Sequence, residues 1–173
     1  GSLRIYGRHA EDSSKSTSQR VTELKAREEA AGLTRLETYL SFTERVQETK
    51  RKLLGFLIDA KRAGKNVVAY GAAAKGVTLL NYCGVRTDFI DYAVDLSPHK
   101  QGHFMPGVHI PIFHPDKIHE TRPDYVLILP WNLKDEIMRQ MADIGKWGGQ
   151  FVVPIPEVMF YSAAREQRQA AQL

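Results

Sequence analysis

Residues 67–76 read VVAYGAAAKG, and this stretch decides the fold. Its four leading apolar residues predict a short buried strand that ends at Gly71. The residues from Lys75 to Cys83 follow with helical spacing, and Gly84 is placed to end that helix. A buried strand, a glycine turn and a helix in this order predict the first half of a βαβ unit.

The chain after Gly84 repeats this alternation of apolar runs and helices. Helices are predicted at Pro115–Glu120 and from Asn132 or Asp135 to Gly148. Uninterrupted apolar strands are typical of a parallel sheet covered on both faces. The sequence therefore predicts an α/β fold, namely a Rossmann-like, doubly wound and mostly parallel sheet. Its further strands are predicted at Phe89–Val94, Val108–Phe113, Tyr125–Leu129 and Phe151–Val153, the last being the final clear strand.

The chain before residue 66 has a different composition. Residues 7–20 are polar and predict a linker. A helix is predicted from Val21 to Gly32, and a longer one from a cap at Thr34 to Gly64. We therefore expect a helical lead-in over residues 21–65, a Rossmann-like domain over 66–160, and a tail over 161–173 in which residues 163–173 form a frayed helix.

Composition excludes several classes of protein. The chain has 173 residues, a net charge of +4 and one cysteine, Cys83, which rules out an internal disulfide and a zinc site built from thiolates and fits a reducing cytoplasm. Residues 1–65 carry a net charge of +5 and residues 66–156 a net charge of −1, so no basic stripe marks the compact part for nucleic acid. No apolar run approaches 18 residues. We expect a cytoplasmic protein that binds neither nucleic acid nor a membrane.

The turn after the first strand is the leading candidate site. In an open α/β sheet it lies where ligands bind, and it opens a helix whose amides favour an anion. Compared with the G-x-G-x-x-G dinucleotide motif, the middle glycine is replaced by Ala73, which weakens the case for NAD. Asp95 ends the second strand, where an acidic side chain would meet a ribose hydroxyl. The candidate residues of the turn are Gly71, Ala72, Ala73, Ala74, Lys75 and Gly76.

An alternative interpretation of the same residues is structural. Gly71 and Gly76 would then only permit a tight turn, and Asp95 would cap a loop. Trp131 and Asn132, which follow another predicted strand, form a second candidate because an indole ring and an amide suit a nucleobase. They too have a structural alternative, with Trp131 packed at the domain edge and Asn132 capping the helix.

Other residues offer weaker signals. Five histidines fall between residues 99 and 119, but they are spread over loop, strand and helix and lack the spacing of a metal site. No nucleophile–base arrangement can be read, and Cys83 is expected in the core. We therefore predict no catalytic residue and no metal ligand. The histidines are His99, His103, His109, His114 and His119.

Several motifs together strongly resemble the carboxyl-terminal domain of the SAM-dependent sugar C-methyltransferases, over about residues 20–160. Residues 3–6, LRIY, also resemble the last strand of the preceding methyltransferase domain in that family, so residues 1–20 would comprise the end of that domain and the linker. The motifs are VAYGAAAKG (68–76), LLNYCG (79–84), KQG (100–102), PG (106–107), RPDYVLILPWNL (122–133) and PIP (154–156).

The resemblance implies that catalysis and substrate binding belong to different domains of one enzyme. Family members methylate a carbon of a nucleotide-linked keto-deoxysugar, by removing a proton next to the ketone and letting the enolate attack the methyl group of SAM. An amino-terminal zinc domain and a middle SAM domain, which holds the catalytic residues, precede this domain. Neither is present in the chain, so SAM is expected in the full-length enzyme and no cofactor in this fragment. The domain would help to hold the nucleotide-sugar.

Two alternatives from other functional classes remain at this stage. The chain could be a stand-alone nucleotide-binding module for NAD or CoA, with Asp95 on the ribose. It could also be a scaffold that keeps the fold of a nucleotide binder but binds nothing.

Overall fold

A computed structural model describes residues 3–162, and the predicted helix over residues 163–173 lies outside the described residues. A six-stranded sheet forms its centre, in the order β3-β2-β1-β4-β5-β6. All neighbouring pairs are parallel except β5 and β6. The strands are β1 (Val67–Tyr70), β2 (Ala93–Val94), β3 (Ile112–Phe113), β4 (Tyr125–Ile128), β5 (Gln150–Val153) and β6 (Met159–Ser162).

Helices cover both faces of this sheet. Because side chains alternate along a strand, β1 sends Val67 and Ala69 to one face and Val68 and Tyr70 to the other. The first face packs against α3 and α4, and the second against α5 and α6. This arrangement confirms the predicted Rossmann-like, doubly wound α/β fold. The α-helices are α1 (Gln19–Ala30), α2 (Leu36–Leu40), α3 (Phe42–Arg62), α4 (Ala74–Cys83), α5 (Asp116–Thr121) and α6 (Lys134–Gln140).

The chain separates into two compact units, residues 1–47 and 48–173. Within the described part of the first unit, Gly32 is the only buried residue. Gly32 follows α1 with φ +74°, which fits its predicted place beyond the helix end. The second unit holds the whole sheet and both clusters of core side chains.

The predicted long helix from Thr34 to Gly64 is wrong, because the chain forms two helices there. α2 and α3 are separated at Ser41, whose hydroxyl donates to the Thr38 carbonyl at 3.0 Å. A serine hydroxyl that bonds to nearby backbone offers an alternative to helical pairing. Thr34 does not cap α2, since Arg35 occupies the N-cap position and makes no side-chain cap bond.

Two predicted strands are shorter than expected. The run Phe89–Val94 yields only β2, because the amides of Phe89 and Ile90 turn back to the Arg86 carbonyl. The run Val108–Phe113 yields only β3, and His109, at φ +55°, donates its amide to the Met105 carbonyl.

The sheet also has a strand that the sequence does not predict. β6 follows β5 and pairs antiparallel with it. The predicted strand Phe151–Val153 lies in β5 and is therefore not the last strand of the sheet. Phe160 on β6 packs edge-on against Phe56 at 5.4 Å and Tyr125 at 6.0 Å between ring centroids. Residues 3–6 form no strand in the described part of the chain, although they resemble one.

Candidate functional site

The candidate site lies at the carboxyl edge of β1, β2 and β4. The chain runs outward from β1 to β2 and β3, and then returns to place β4 on the other side of β1. The strand order therefore reverses between β1 and β4. In open α/β sheets, ligands bind in the crevice that this reversal opens at the carboxyl ends of the strands.

Gly71 joins the end of β1 to both neighbouring strands. Its amide donates to the Val94 carbonyl at 2.7 Å, and its φ of +89° is a conformation that favours glycine. A Cβ atom at this position would lie 2.5 Å from Cδ of Pro130. The glycine is therefore required by the turn itself and by the close approach of the segment after β4.

Gly76 brings α4 against the end of β4. It is buried, and a Cβ atom there would lie 2.6 Å from Cβ of Leu129. This is the role of the third glycine in dinucleotide-binding turns, which permits close packing of helix on strand. Gly71 and Gly76 therefore have the structural role that the alternative interpretation gave them. This role leaves the open side of the turn available to a ligand.

Substituting Gly76→Ala is expected to lower the free energy of unfolding by about 1–3 kcal/mol, because the added methyl group overpacks against Leu129. Gly55→Ala is the matched control, since Gly55 also lies within a helix, α3, but has open space around its missing Cβ. That change is expected to stabilise by about 0.5–1 kcal/mol through helix propensity. Urea denaturation measures both, and equal effects of the two substitutions would contradict the packing role.

The turn between the glycines presents backbone amides. Ala73 is the extended N-cap residue of α4, without a side-chain cap bond, and the first backbone hydrogen bond of the helix joins the Val77 amide to the Ala73 carbonyl at 3.0 Å. The amides of the first turn of a helix have no intrahelical acceptor and carry partial positive charge. Ala74 is exposed, and Ala72 and Ala73 are half-buried. The edge of the turn thus suits an anion.

Asp95 lies directly after β2 and is bonded to the turn. Its Oδ2 accepts from the Ala72 amide at 2.8 Å and from Lys100 Nζ at 2.9 Å, while its Oδ1 accepts from the Ser97 amide at 2.9 Å. Its side chain is 13% exposed. Burial raises the pKa of the Asp95 carboxyl, but the Ser97, Lys100 and Ala72 donors together outweigh it and hold that pKa below its usual value. The carboxylate is therefore ionised and fixes the turn to the loop after β2.

Lys75 meets the second candidate segment. Its Nζ lies 4.3 Å from the centroid of the Trp131 ring and donates to Asn132 Oδ1. Trp131 begins a short 3-10 helix, Trp131–Leu133, which precedes α6. The two candidate segments, 50 and more residues apart in sequence, thus come together at one edge of the sheet.

Two residues of the site, Ser97 and Lys100, were not predicted from the sequence, and the role of a third, Pro130, was not. Pro130 sets the close approach to Gly71, and Ser97 and Lys100 hold Asp95. Pro130 and Lys100 both lie in the motifs that resemble the methyltransferase family. Those motifs were the available signal, but neither spacing nor periodicity shows which side chain a loop lysine will reach.

A third motif holds the loop before β3. Asn81 on α4 donates from Nδ2 to the Pro106 carbonyl at 2.9 Å, and a Cβ atom on Gly107 would lie 2.1 Å from Asn81 Oδ1. The Asn81 and Pro106–Gly107 motifs therefore form one contact. It positions the loop that leads from Asp95 to β3.

Other candidate features do not converge with this edge. Two surface concavities of about 290 Å³ each lie elsewhere, one lined by His119, Arg122, Lys146 and Trp147 and one beside Tyr92. Among residues 3–162, no three His, Cys, Asp or Glu side chains are grouped to hold a metal ion. No helix in this same part of the chain is long and apolar enough to cross a membrane. Cys83 is buried in the core.

Comparison with known proteins gives a structural and a sequence relative. UDP-D-quinovosamine 4-dehydrogenase from Vibrio fischeri, a solved structure, aligns with a TM-score of 0.39 and 20% identity over 63% of this chain and 86% of that chain. C-methyltransferase NovU of Streptomyces niveus is 38% identical over 147 residues, which are 83% of this chain and 34% of that protein. The chain therefore spans about a third of the length of this relative.

A family model described as "C-methyltransferase C-terminal domain" matches residues 1–156. This match covers the strand-turn-helix around Gly71, Asp95 and the Trp131–Asn132 segment, and it confirms the resemblance that the motifs suggested. The chain belongs to the C-methyltransferase C-terminal domain family.

Proposed function

We propose that this domain belongs to a SAM-dependent C-methyltransferase and binds the nucleotide part of a nucleotide-linked keto-deoxysugar. The observation that carries the proposal is the meeting of Lys75 with Trp131 and Asn132 at the carboxyl edge of β1 and β4. A cation, an indole ring and an amide beside an amide-lined turn form a set suited to a nucleoside diphosphate.

Each residue of the edge has a proposed role. The amides of residues 73–76 and the Lys75 ammonium face the diphosphate, Trp131 stacks on the base, and Asn132 bonds to the edge of that base. Gly71 and Gly76 give the turn its shape. Asp95 is a positioning residue, since it holds the Ala72 amide and the loop after β2.

The same geometry favours a nucleotide-sugar over NAD. NAD bound in the dinucleotide manner needs a free acidic side chain at the end of β2 for its ribose hydroxyl. Both carboxylate oxygens of Asp95 accept hydrogen bonds from the protein, so a ribose would have to displace them. SAM also carries a ribose, so the bonded Asp95 carboxylate disfavours it as well, and we assign SAM to the middle domain of the full-length enzyme.

The domain contributes orientation to the methyl transfer. Holding the nucleotide fixes the sugar relative to the catalytic residues of another domain, and such positioning can supply a large share of a rate enhancement. We assign no catalytic residue to this chain. We also propose that the enzyme is cytoplasmic, in keeping with a single buried thiol.

The first unit is proposed to pack against the zinc-binding and SAM-binding domains. Large apolar side chains of residues 3–42 are exposed, and α1 buries no residue. Contiguous exposed apolar patches mark interaction surfaces, and we propose that these side chains contribute to one. About two-thirds of the length of C-methyltransferase NovU lies outside its match to this chain. In a full-length enzyme of that length, the remaining domains would be partners for the first unit within one polypeptide. The side chains include Leu3, Ile5, Tyr6, Val21, Leu33, Leu36, Tyr39, Leu40 and Phe42.

Replacing Lys75 by Ala in the full-length methyltransferase tests the proposal. Loss of a charged hydrogen bond to a phosphate is expected to raise the KM for the nucleotide-sugar about tenfold and to leave kcat unchanged. Lys50→Ala is the control, because Lys50 lies on α3, where it donates to the Tyr82 carbonyl. An unchanged KM in the Lys75 variant would favour the scaffold alternative.

A further inference from the structure

One side chain, Lys75, contacts both groups that would recognise a nucleobase. Its ammonium lies 4.3 Å from the Trp131 ring centroid, on the face where a base would stack. The same ammonium occupies Oδ1 of Asn132, the acceptor that would bond to an N–H group of a base. A base that stacks on this side of the ring, or that bonds to Asn132 Oδ1 in the place of the ammonium, therefore has to displace Lys75.

We infer that Lys75 acts as a cover of Trp131, which it leaves when a phosphate group binds at the turn. This inference rests on the proposed function of this edge. Asn132 Oδ1 is a neutral acceptor and the indole ring a weak one, whereas a diphosphate carries full negative charge. The attraction between two full charges is added when the acceptor is a phosphate, and a neutral acceptor does not supply it. A diphosphate at the turn draws the ammonium away, which uncovers the ring and frees the Asn132 oxygen.

The cover makes the site specific for a ligand that carries both chemical parts. A nucleoside without phosphate has to displace Lys75 without offering it a better partner, so it binds weakly. A nucleoside diphosphate recruits Lys75 and then gains the ring and the amide. Lys75 is thus a specificity-determining residue that couples phosphate recognition to base recognition.

Removing the ammonium should change the affinities of the two ligands in opposite directions. In Lys75→Met, which keeps a long side chain, we expect thymidine to bind about two- to fivefold more tightly, the factor that corresponds to an exposed cation–π contact. We expect dTDP to bind about tenfold more weakly, because a charged phosphate contact is lost. Lys50→Met is the matched control, since Lys50 Nζ also lies over an aromatic ring, that of Tyr82, at 5.2 Å.

The indole N–H signals of the 15N-labelled 173-residue chain provide the readout. The chain has two tryptophans, and Trp131→Phe assigns their signals. Trp147 serves as an internal reference, because its Nε1 donates to the Pro123 carbonyl at 3.1 Å, away from the site. Pyrophosphate alone is expected to shift the Trp131 signal in the unsubstituted chain and to leave it unmoved in Lys75→Met.

The outcomes separate the cover from the proposed function. If dTDP shifts the amides of residues 71–76 but Lys75→Met changes thymidine and dTDP affinity in the same direction, the cover is wrong and nucleotide binding stands. A Trp131 signal that ignores pyrophosphate also overturns the cover. If dTDP shifts none of these amides, both proposals fall.

Discussion

Gly71→Ala is expected to lower the free energy of unfolding by about 2–5 kcal/mol, the largest effect of any single methyl group at the site. Two costs add at this position. An alanine at φ +89° is strained, and its Cβ atom would lie 2.5 Å from Cδ and 2.7 Å from Cγ of Pro130. Because Pro130 is held between β4 and the 3-10 helix, relief requires a shift of the segment that carries Trp131.

Gly102→Ala separates these two costs. Gly102 has a similar φ of +77°, but its missing Cβ faces open space. The Gly102→Ala variant should therefore lose only the free energy of the strained backbone, about 1–2 kcal/mol. Urea denaturation of both variants measures the difference, and a Gly71 variant no less stable than the Gly102 variant would show that Pro130 yields without cost.

Asp95→Ala is expected to destabilise the domain by about 2–4 kcal/mol, because it leaves the Ala72 and Ser97 amides and the Lys100 ammonium without their acceptor. Asp91→Ala is the matched control. Asp91 pairs with Lys61 at 2.9 Å, but its side chain is 41% exposed against 13% for Asp95. Exposed ion pairs contribute about 0–1 kcal/mol, so the control should lose little.

The contribution of Asp95 also depends on pH in a defined direction. Its folded pKa lies below its usual value, so its stabilisation is fully present above the unfolded pKa near about 4 and is lost as the pH falls through the folded pKa. The stability gap between the unsubstituted chain and Asp95→Asn should therefore shrink on acidification from pH 7. A gap that stays constant or widens would mean that the ionised carboxylate is not the stabilising group.

The parts of the fold that depend on local sequence were predictable. Val67–Tyr70 followed by Gly71, and α4 followed by Gly84, form as expected because apolar periodicity and positive-φ glycines act within a few residues. β6 was not predictable, since Phe160 is held by Phe56 and Tyr125, which lie far away in sequence. The interruption at Ser41 depends on one hydroxyl bond inside an otherwise helical pattern.

The candidate site, like the fold, could be predicted from the sequence only in part. The observed strand order places the turn after β1 beside the turn after β4, which brings Lys75 close to Trp131. The sequence predicted each segment as a candidate but not that the two meet. The role of Asp95 was not predictable either, because its position at the end of β2 suits a ribose hydroxyl as well as a backbone amide. Only the three-dimensional path of the loop shows that the Ala72 amide reaches it first.

We propose that the edge formed by residues 71–76 and 131–132 binds a nucleoside diphosphate. Titrating the 15N-labelled chain with dTDP, NAD and SAM in parallel tests it most directly, with backbone amide shifts as the readout. We expect saturable shifts at residues 71–76 and at Asn132 with dTDP, and none there with NAD or SAM. Shifts at the same amides with NAD but not with dTDP would contradict it and identify a dinucleotide-binding module instead.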